Sequence, residues 1–113
     1  MSLERWSERI WIDRLPPEPA LGDELELLNG LLQDRYPGPD LILDLAKLDI
    51  LHSTNISRLL KLRKTIADHG ARLRLVGPND QVWGIFLATG LDRLFDFTED
   101  ITTGLAQLQL PAG

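Results

Sequence analysis

The sequence predicts an α/β fold in which helices cover a mainly parallel central sheet. Segments with strand character alternate with segments whose apolar residues recur every three or four positions, in the order β-α-β-α-β-α-β-α. Residues 40–46 form a nearly continuous apolar run, as in parallel strands covered on both faces. Helical connections between the strands favour a parallel sheet joined by right-handed crossovers. Because 113 residues are the length of one compact domain, we expect a single domain over residues 1–113 with its core at about 9–108.

The composition is that of a folded protein and excludes several classes of function. The chain has 113 residues, 43% hydrophobic and 26% charged, and no cysteine, which rules out disulfides and thiolate metal sites. A net charge of −5 disfavours nucleic-acid binding. Charged residues interrupt the apolar runs before the roughly 20 residues that a membrane helix needs. We therefore expect a cytoplasmic protein without membrane insertion.

The first strand and helix are bounded by prolines. Residues 9–15 carry β-branched and aromatic side chains and end at the proline pair 16–17, which cannot continue a sheet ladder. Residues 21–36 have leucines on one helical face and end at the Pro-Gly-Pro sequence 37–39. Residues 1–3 are given no structural weight.

The second strand and helix frame the most informative stretch of the chain. After the strand at 40–46, a helical pattern covers residues 55–69, with Gly70 at the position expected for a C-cap. Ser53 or Thr54 can supply the N-cap oxygen of this helix.

The last third of the chain repeats the alternation. Residues 71–76 predict a strand, Asn79 can cap the helix that ends at Gly90, and residues 94–97 predict a short strand. The final helix is indicated by an apolar stripe of Ile101, Leu105 and Leu108.

A junction between a strand and a helix puts hydroxyl groups beside unpaired backbone N–H donors. At Ser53 and Thr54 a phosphate could be held by those donors and by the helix dipole. The alternative is that both hydroxyls only cap the helix, since Ser and Thr are preferred N-cap residues.

Three blocks of sequence resemble those of the STAS domains, named for sulfate transporters and anti-sigma factor antagonists. The blocks are ILDL at 42–45 followed by LHSTN at 51–55, GARLRLV at 70–76, and LATGLDRLF at 87–95. The resemblance implies the STAS fold. It also implies a non-enzymatic regulatory protein whose partner is an anti-sigma factor with serine-kinase activity, under control by phosphorylation.

The resemblance assigns a phosphoacceptor. The family's usual loop reads Asp-Ser-Ser/Thr-Gly, with the second hydroxyl residue as acceptor, so Thr54 matches the acceptor and Ser53 is the second choice. His52 stands where the family has Asp, and Asn55 stands where it has Gly.

Further residues near this loop are candidate partner contacts. They are Asp44, Asp49, His52, Ser53, Asn55 and Arg58. Arg58 belongs to a basic helix that is either a solvated face or a patch for an acidic partner. Asp44 and Asp49 could suggest acid–base chemistry, but no nucleophile accompanies them, so we expect no enzyme activity, no cofactor and no metal.

A second hypothesis is a scaffold or transport-accessory subunit with the same fold that is not phosphorylated. The departures at His52 and Asn55 favour it. The sequence leaves the identity of the partner and the oligomeric state open.

Overall fold

Five strands form one sheet in the computed structural model, which describes residues 2–111. The strands are β1 (Leu3–Arg5), β2 (Ile10–Arg14), β3 (Asp40–Asp44), β4 (Leu73–Val76) and β5 (Phe97–Thr98). Their order in the sheet is their order in the chain. Strands β2 to β5 are parallel, and β1 pairs antiparallel with β2 at one edge.

Four helices cover the two faces of this sheet. They are α1 (Leu21–Gln33), α2 (Ser53–Asp68), α3 (Asp80–Thr89) and α4 (Ile101–Leu108), and a short 3₁₀ turn spans Leu91–Arg93. Each parallel strand lies beside the one before it, so right-handed crossovers place α1, α2 and α3 on the same face. Helix α4 packs on the opposite face, where Leu108 joins a separate cluster.

Side chains of the central strands alternate between these two faces. In β2, Trp11 joins the larger cluster under α1, α2 and α3, whereas Ile10 and Ile12 join the smaller one under α4. Strand β3 has apolar side chains on both faces, and Leu41, Ile42 and Leu43 are fully buried. The prediction of a mainly parallel sheet with a doubly covered strand is therefore confirmed.

The expectation that residues 1–3 have no structural role is wrong, because Leu3 begins strand β1. Leu3 pairs with Asp13, and Glu4 bonds to Arg14 across the two strands at 2.9 Å. Three residues are too few to show an alternating pattern, so this strand depends on the free edge that β2 offers. Met1 lies outside the described residues.

Several element boundaries differ from those predicted. Helix α1 ends at Gln33 instead of residue 36, and α2 begins at Ser53, two residues early. The strand predicted at 94–97 is Phe97–Thr98, because Leu91–Arg93 first forms a turn. Gly90 starts that turn with a φ of 74°, a left-handed conformation that favours glycine.

The predicted caps around α3 and after α2 are present. The Asn79 side chain accepts a hydrogen bond from the Val82 amide at 2.8 Å, which satisfies one of the unpaired donors at the start of α3. Gly70 follows α2 with a φ of 73°. These positions end or begin their helices as their residue types indicate.

Helices α1 and α2 are joined by polar contacts as well as by leucines. Midway along the pair, the Thr65 hydroxyl donates to Asn29 Oδ1 at 2.6 Å. Near the end of α2, His69 Nε2 lies 2.7 Å from the Gln33 carbonyl oxygen. The His69 side chain thus links the carboxyl end of α2 to the carboxyl end of α1.

A buried carboxyl pair lies between β2 and α1. Asp13 is fully buried, Glu24 is nearly so, and neither oxygen of Asp13 has a hydrogen-bond partner among residues 2–111. Burial, and secondarily the neighbouring Glu24 carboxyl, raises the pKa of Asp13 from 3.8 to about 8. Glu24 also accepts a hydrogen bond from the Ser2 amide at 3.3 Å, so the pair contacts the segment that leads into β1.

The raised pKa of Asp13 predicts that the free energy of unfolding decreases as the pH rises. Between pH about 4 and about 8 the folded chain holds a proton on Asp13 that the unfolded chain releases. A pKa difference of one corresponds to about 1.4 kcal/mol. The free energy of unfolding of Asp13→Asn, relative to that of the wild type, should therefore be more than about 1 kcal/mol higher at pH 8 than at pH 5. Urea unfolding at both pH values measures this gain. The exposed Asp34→Asn is the control, and equal pH dependence of Asp13→Asn and wild type would contradict the assignment.

Candidate functional site

The connector between β3 and α2 is held to the core by three leucines. Residues 45–52 link the two elements, and Leu45, Leu48 and Leu51 are 0%, 1% and 4% exposed. Because they recur at every third position, the residues between them face outward. Lys47, Asp49 and Ile50 are accordingly exposed.

Two hydrogen bonds join the same connector to the end of strand β4 and to the residue that caps α3. The Leu45 amide donates to the Val76 carbonyl at 2.8 Å, and Asn79 Nδ2 donates to the Leu48 carbonyl at 3.1 Å. Gly77 has a φ of 70°, and a Cβ there would lie 3.5 Å from Asp44 Oδ1. The loop after β4 therefore lies directly against the start of the connector.

Helix α2 begins with an exposed pair of hydroxyl residues. Its N-cap is His52, in extended backbone conformation, and no side chain caps the helix. Ser53 and Thr54 are helical residues of the first turn, and both are exposed. The prediction that one of them supplies the N-cap oxygen is wrong, since the carbonyl of His52 instead accepts the first bonds, from the Asn55 and Ile56 amides at 3.0 Å.

The first turn of α2 presents free donors beside these hydroxyls. Within the described part of the chain, the amides of Ser53 and Thr54 have no hydrogen-bond acceptor, and neither does the Thr54 hydroxyl. The first turns of α1 and α3 contain acidic residues, whereas that of α2 contains none. The positive end of the α2 dipole is thus uncompensated by any carboxylate of its own first turn.

Asn55 points into the protein, next to the exposed hydroxyls. It is 3% exposed, its amide donates to the Glu18 carboxylate, and its Oδ1 accepts from Arg58 Nη1 at 2.9 Å. Glu18 precedes α1, so this side chain ties the start of α2 to the segment before α1. Its role is to hold the position of the helix start.

Arg58 extends the same network to α1. Its Nε donates to Glu26 Oε1 at 3.0 Å, and its side chain is 33% exposed. A Cβ on Gly22 would lie 3.1 Å from Arg58 Nη1, so the glycine leaves room for the guanidinium against α1. The basic residue nearest the loop is therefore already paired in this structure.

The remaining predicted site residues differ in their surroundings. Asp44 is half-buried and accepts the Ala46 amide at 2.9 Å, which tightens the turn after β3. Asp49 and His52 are exposed. The structure thus places Asp49, His52, Ser53 and Thr54 on the surface, with Asp44, Asn55 and Arg58 supporting them.

Glu18, Gly22 and Glu26 were not identified from the sequence as part of this site. They precede or belong to α1, and each lies 32 to 37 residues before the Asn55 or Arg58 side chain that it adjoins. Only the packing of α1 against α2 brings them here, and no local pattern in the sequence indicates it.

Neither a cluster of metal-ligating side chains nor a membrane-spanning helix occurs among the described residues. No group of three or more His, Cys, Asp or Glu side chains within residues 2–111 could hold a metal ion. In the same range, no helix has the length and apolar character required to cross a membrane.

The fold and the sequence together define a class of protein. The family model of the STAS domain matches residues 23–104, and the chain belongs to the STAS domain family. No curated protein sequence matches the chain.

Solved structures with the same fold include two that are described as anti-sigma factor antagonists. The antagonist SpoIIAA in its unphosphorylated form has a TM-score of 0.78 and 15% identity, over 98% of this chain and 97% of that one. A variant of RsbS from Moorella thermoacetica has a TM-score of 0.76 and 18% identity, over 96% of each chain. An anti-sigma-factor antagonist domain protein from Planctomyces limnophilus has a TM-score of 0.77 and 13% identity, over 92% of this chain and 94% of that one.

The network around Asn55 predicts a cost for its removal. Asn55→Ala leaves Glu18 and Arg58 without their shared partner, so we expect a loss of about 1–3 kcal/mol in the free energy of unfolding. Urea denaturation followed by circular dichroism measures it. Ser57→Ala is the control, because Ser57 is exposed in the same turn of α2, and equal stabilities of the two variants would contradict a structural role for Asn55.

Proposed function

We propose that this chain is a cytoplasmic, non-enzymatic regulator of transcription signalling that acts as an anti-sigma factor antagonist. It binds an anti-sigma factor with serine-kinase activity through the exposed start of α2, and phosphorylation of Thr54 reverses the binding. The observation that carries the proposal is the exposed Thr54 hydroxyl, which has no hydrogen-bond partner among residues 2–111 and lies at a helix start with free N–H donors.

The geometry of the helix start argues against the alternative that Ser53 and Thr54 only cap α2. A hydroxyl that only caps a helix accepts a bond from an amide two or three residues later. Neither Ser53 nor Thr54 accepts such a bond, because His52 occupies the N-cap position. Two exposed hydroxyls without a structural task are better explained as a modification or contact surface.

A phosphate fits the local electrostatics of Thr54. It adds about −1.5 to −2 charges at neutral pH, and a helix N-terminus favours an anion. No residue of the first turn of α2 is acidic, and the Glu18 carboxylate that lies beside this turn is bonded to the Asn55 side chain. The domain can therefore accept the phosphate while an acidic or apolar partner surface cannot.

A phosphate on Thr54 would also act on Arg58. It follows Thr54 by four residues, the spacing at which helical side chains meet. A phosphate at Thr54 competes with Glu26 for the guanidinium, which also supports Asn55. Phosphorylation then loosens the contact between α1 and the start of α2 and changes the surface offered to the partner.

The contact surface consists of the exposed residues of the connector and the first turn. We assign direct contacts to Asp49, His52 and Ser53, with the exposed Ile50 as an apolar contact. Asp44, Asn55 and Arg58 keep that surface in place through their bonds to the loop and α1. This division separates residues that touch the partner from residues that position them.

A second candidate is the scaffold or transport-accessory subunit that is not phosphorylated. The buried Asn55 favours it, because a bonded side chain occupies the position where the family's loop has a glycine. A kinase that reads the glycine-containing loop meets a bonded side chain at this position instead of a glycine.

The phosphoacceptor is tested by incubating the chain with its anti-sigma kinase and ATP and measuring the intact mass. We expect one added phosphate on the wild type and on Ser53→Ala, and none on Thr54→Ala. Ser53→Ala is the matched control because the two hydroxyls are adjacent and equally exposed. An unmodified wild type would exclude the phosphoswitch and leave the scaffold.

The effect on binding is tested with charge at the same position. Thr54→Asp should bind the immobilised anti-sigma factor at least about tenfold more weakly than Thr54→Ala, equivalent to ~1.4 kcal/mol. Surface plasmon resonance gives both dissociation constants. Equal capture of the two variants would mean that charge at Thr54 does not control the interface.

A further inference from the structure

A cleft opens at the end of the sheet opposite to Thr54. The connector with Thr54 follows the carboxyl end of β3, whereas the cleft lies at the amino ends of β2, β3 and β4. It has a volume of about 1290 Å³ and is lined by the β1–β2 turn, the α1–β3 loop and the segment after α4. It is therefore separate from the site proposed for the anti-sigma factor.

Two guanidinium groups lie over one indole ring in this cleft. The Arg5 Cζ lies 4.7 Å and the Arg35 Cζ lies 5.0 Å from the centroid of the Trp11 ring. The two charges are thus within about 10 Å of each other, and a cation–π contact with the indole ring holds each guanidinium in place. Such a pair is preorganised for two carboxylates.

The positive charges of the cleft are not neutralised within the described residues. Four arginines and two acidic residues line the cleft: Arg72 pairs with Asp40 at 3.0 Å, but neither Glu8 nor any other carboxylate in residues 2–111 pairs with Arg5, Arg9 or Arg35. All three are exposed, on a chain whose net charge is −5. Local positive potential on an acidic protein selects acidic partners and orients them.

Apolar side chains lie beside these charges. Trp6 is 42% and Leu110 is 65% exposed, and both line the cleft. Tryptophan and arginine dominate the energetics of protein–protein contacts. The cleft is open and exceeds the roughly 300–1,000 Å³ of small-molecule pockets, so an extended peptide suits it better than a metabolite.

We propose that this cleft is a second docking surface, which binds an acidic peptide segment of a partner protein. Two carboxylates of the segment bind Arg5 and Arg35, and an apolar side chain between them packs against Trp6 and Leu110. The domain then has one contact surface at each end of its sheet and can bring two proteins together.

The test uses nuclear magnetic resonance of the indole N–H groups with a defined probe. The probe is an acetylated peptide amide with one phenylalanine between pairs of glutamates, and its control has glutamines in their place. The chain has three tryptophans, of which Trp83 packs against Phe97 away from the cleft and serves as an internal reference. We expect the glutamate peptide to shift the Trp6 and Trp11 signals and leave Trp83 unchanged.

Variants decide whether the arginines cause the binding. Arg35→Gln should weaken binding at least about tenfold, and Arg35→Lys should recover only part of it, because lysine lacks the planar fork. The exposed Arg93→Gln, distant in the sequence from the cleft-lining segments, should bind like the wild type. The two-dimensional amide spectrum of each variant verifies its fold.

Several outcomes would overturn the proposal. They are the absence of indole shifts at millimolar peptide, equal binding of the glutamine peptide, and equal affinities of Arg35→Gln and Arg93→Gln. Sedimentation that shows dimers of the wild type and monomers of Arg35→Gln would identify a second copy of the chain as the occupant instead. Thr54→Asp should bind the peptide normally, so failure here is independent of the function proposed for Thr54.

Discussion

The rest of the structure depends on the double burial of strand β3. Its apolar side chains fill both clusters, and its parallel neighbours β2 and β4 fix its register on either side. A strand buried on both faces cannot shift by one residue without moving its side chains into the wrong cluster. Its carboxyl end is therefore a fixed point, from which three buried leucines lead to the start of α2.

The position of that helix start depends on a polar network as well as on packing. Asn55 and Arg58 connect α2 to Glu18 and Glu26 near or within α1. The partly buried guanidinium of Arg58 pairs with Glu26 of α1, and the buried side chain of Asn55 pairs with the exposed Glu18. The network holds the helix start in place, while the hydroxyls of Ser53 and Thr54 form no hydrogen bond within the described residues.

Charge is distributed unevenly over this acidic chain. One end of the sheet has a helix start without carboxylates in its first turn, and the other has three exposed arginines without described partners. Both features favour anions, and we propose a different anion for each: a phosphate attached to the chain at Thr54, and carboxylates of a separate polypeptide in the cleft. The buried Asp13, next to Glu24 between β2 and α1, responds to pH because burial raises its pKa and favours the neutral carboxyl.

The sequence by itself determined the strand–helix alternation, the parallel sheet, the caps at Asn79 and Gly90, and the exposed loop with Thr54. These follow from local periodicity and from turn and cap residues, which act over a few positions. Only the tertiary structure decided that strand β1 exists, that Asn55 is buried, and that Arg58 pairs with α1. Those outcomes depend on residues that meet across sheet edges and helix interfaces, and a periodic pattern contains no information about which distant partner each side chain finds.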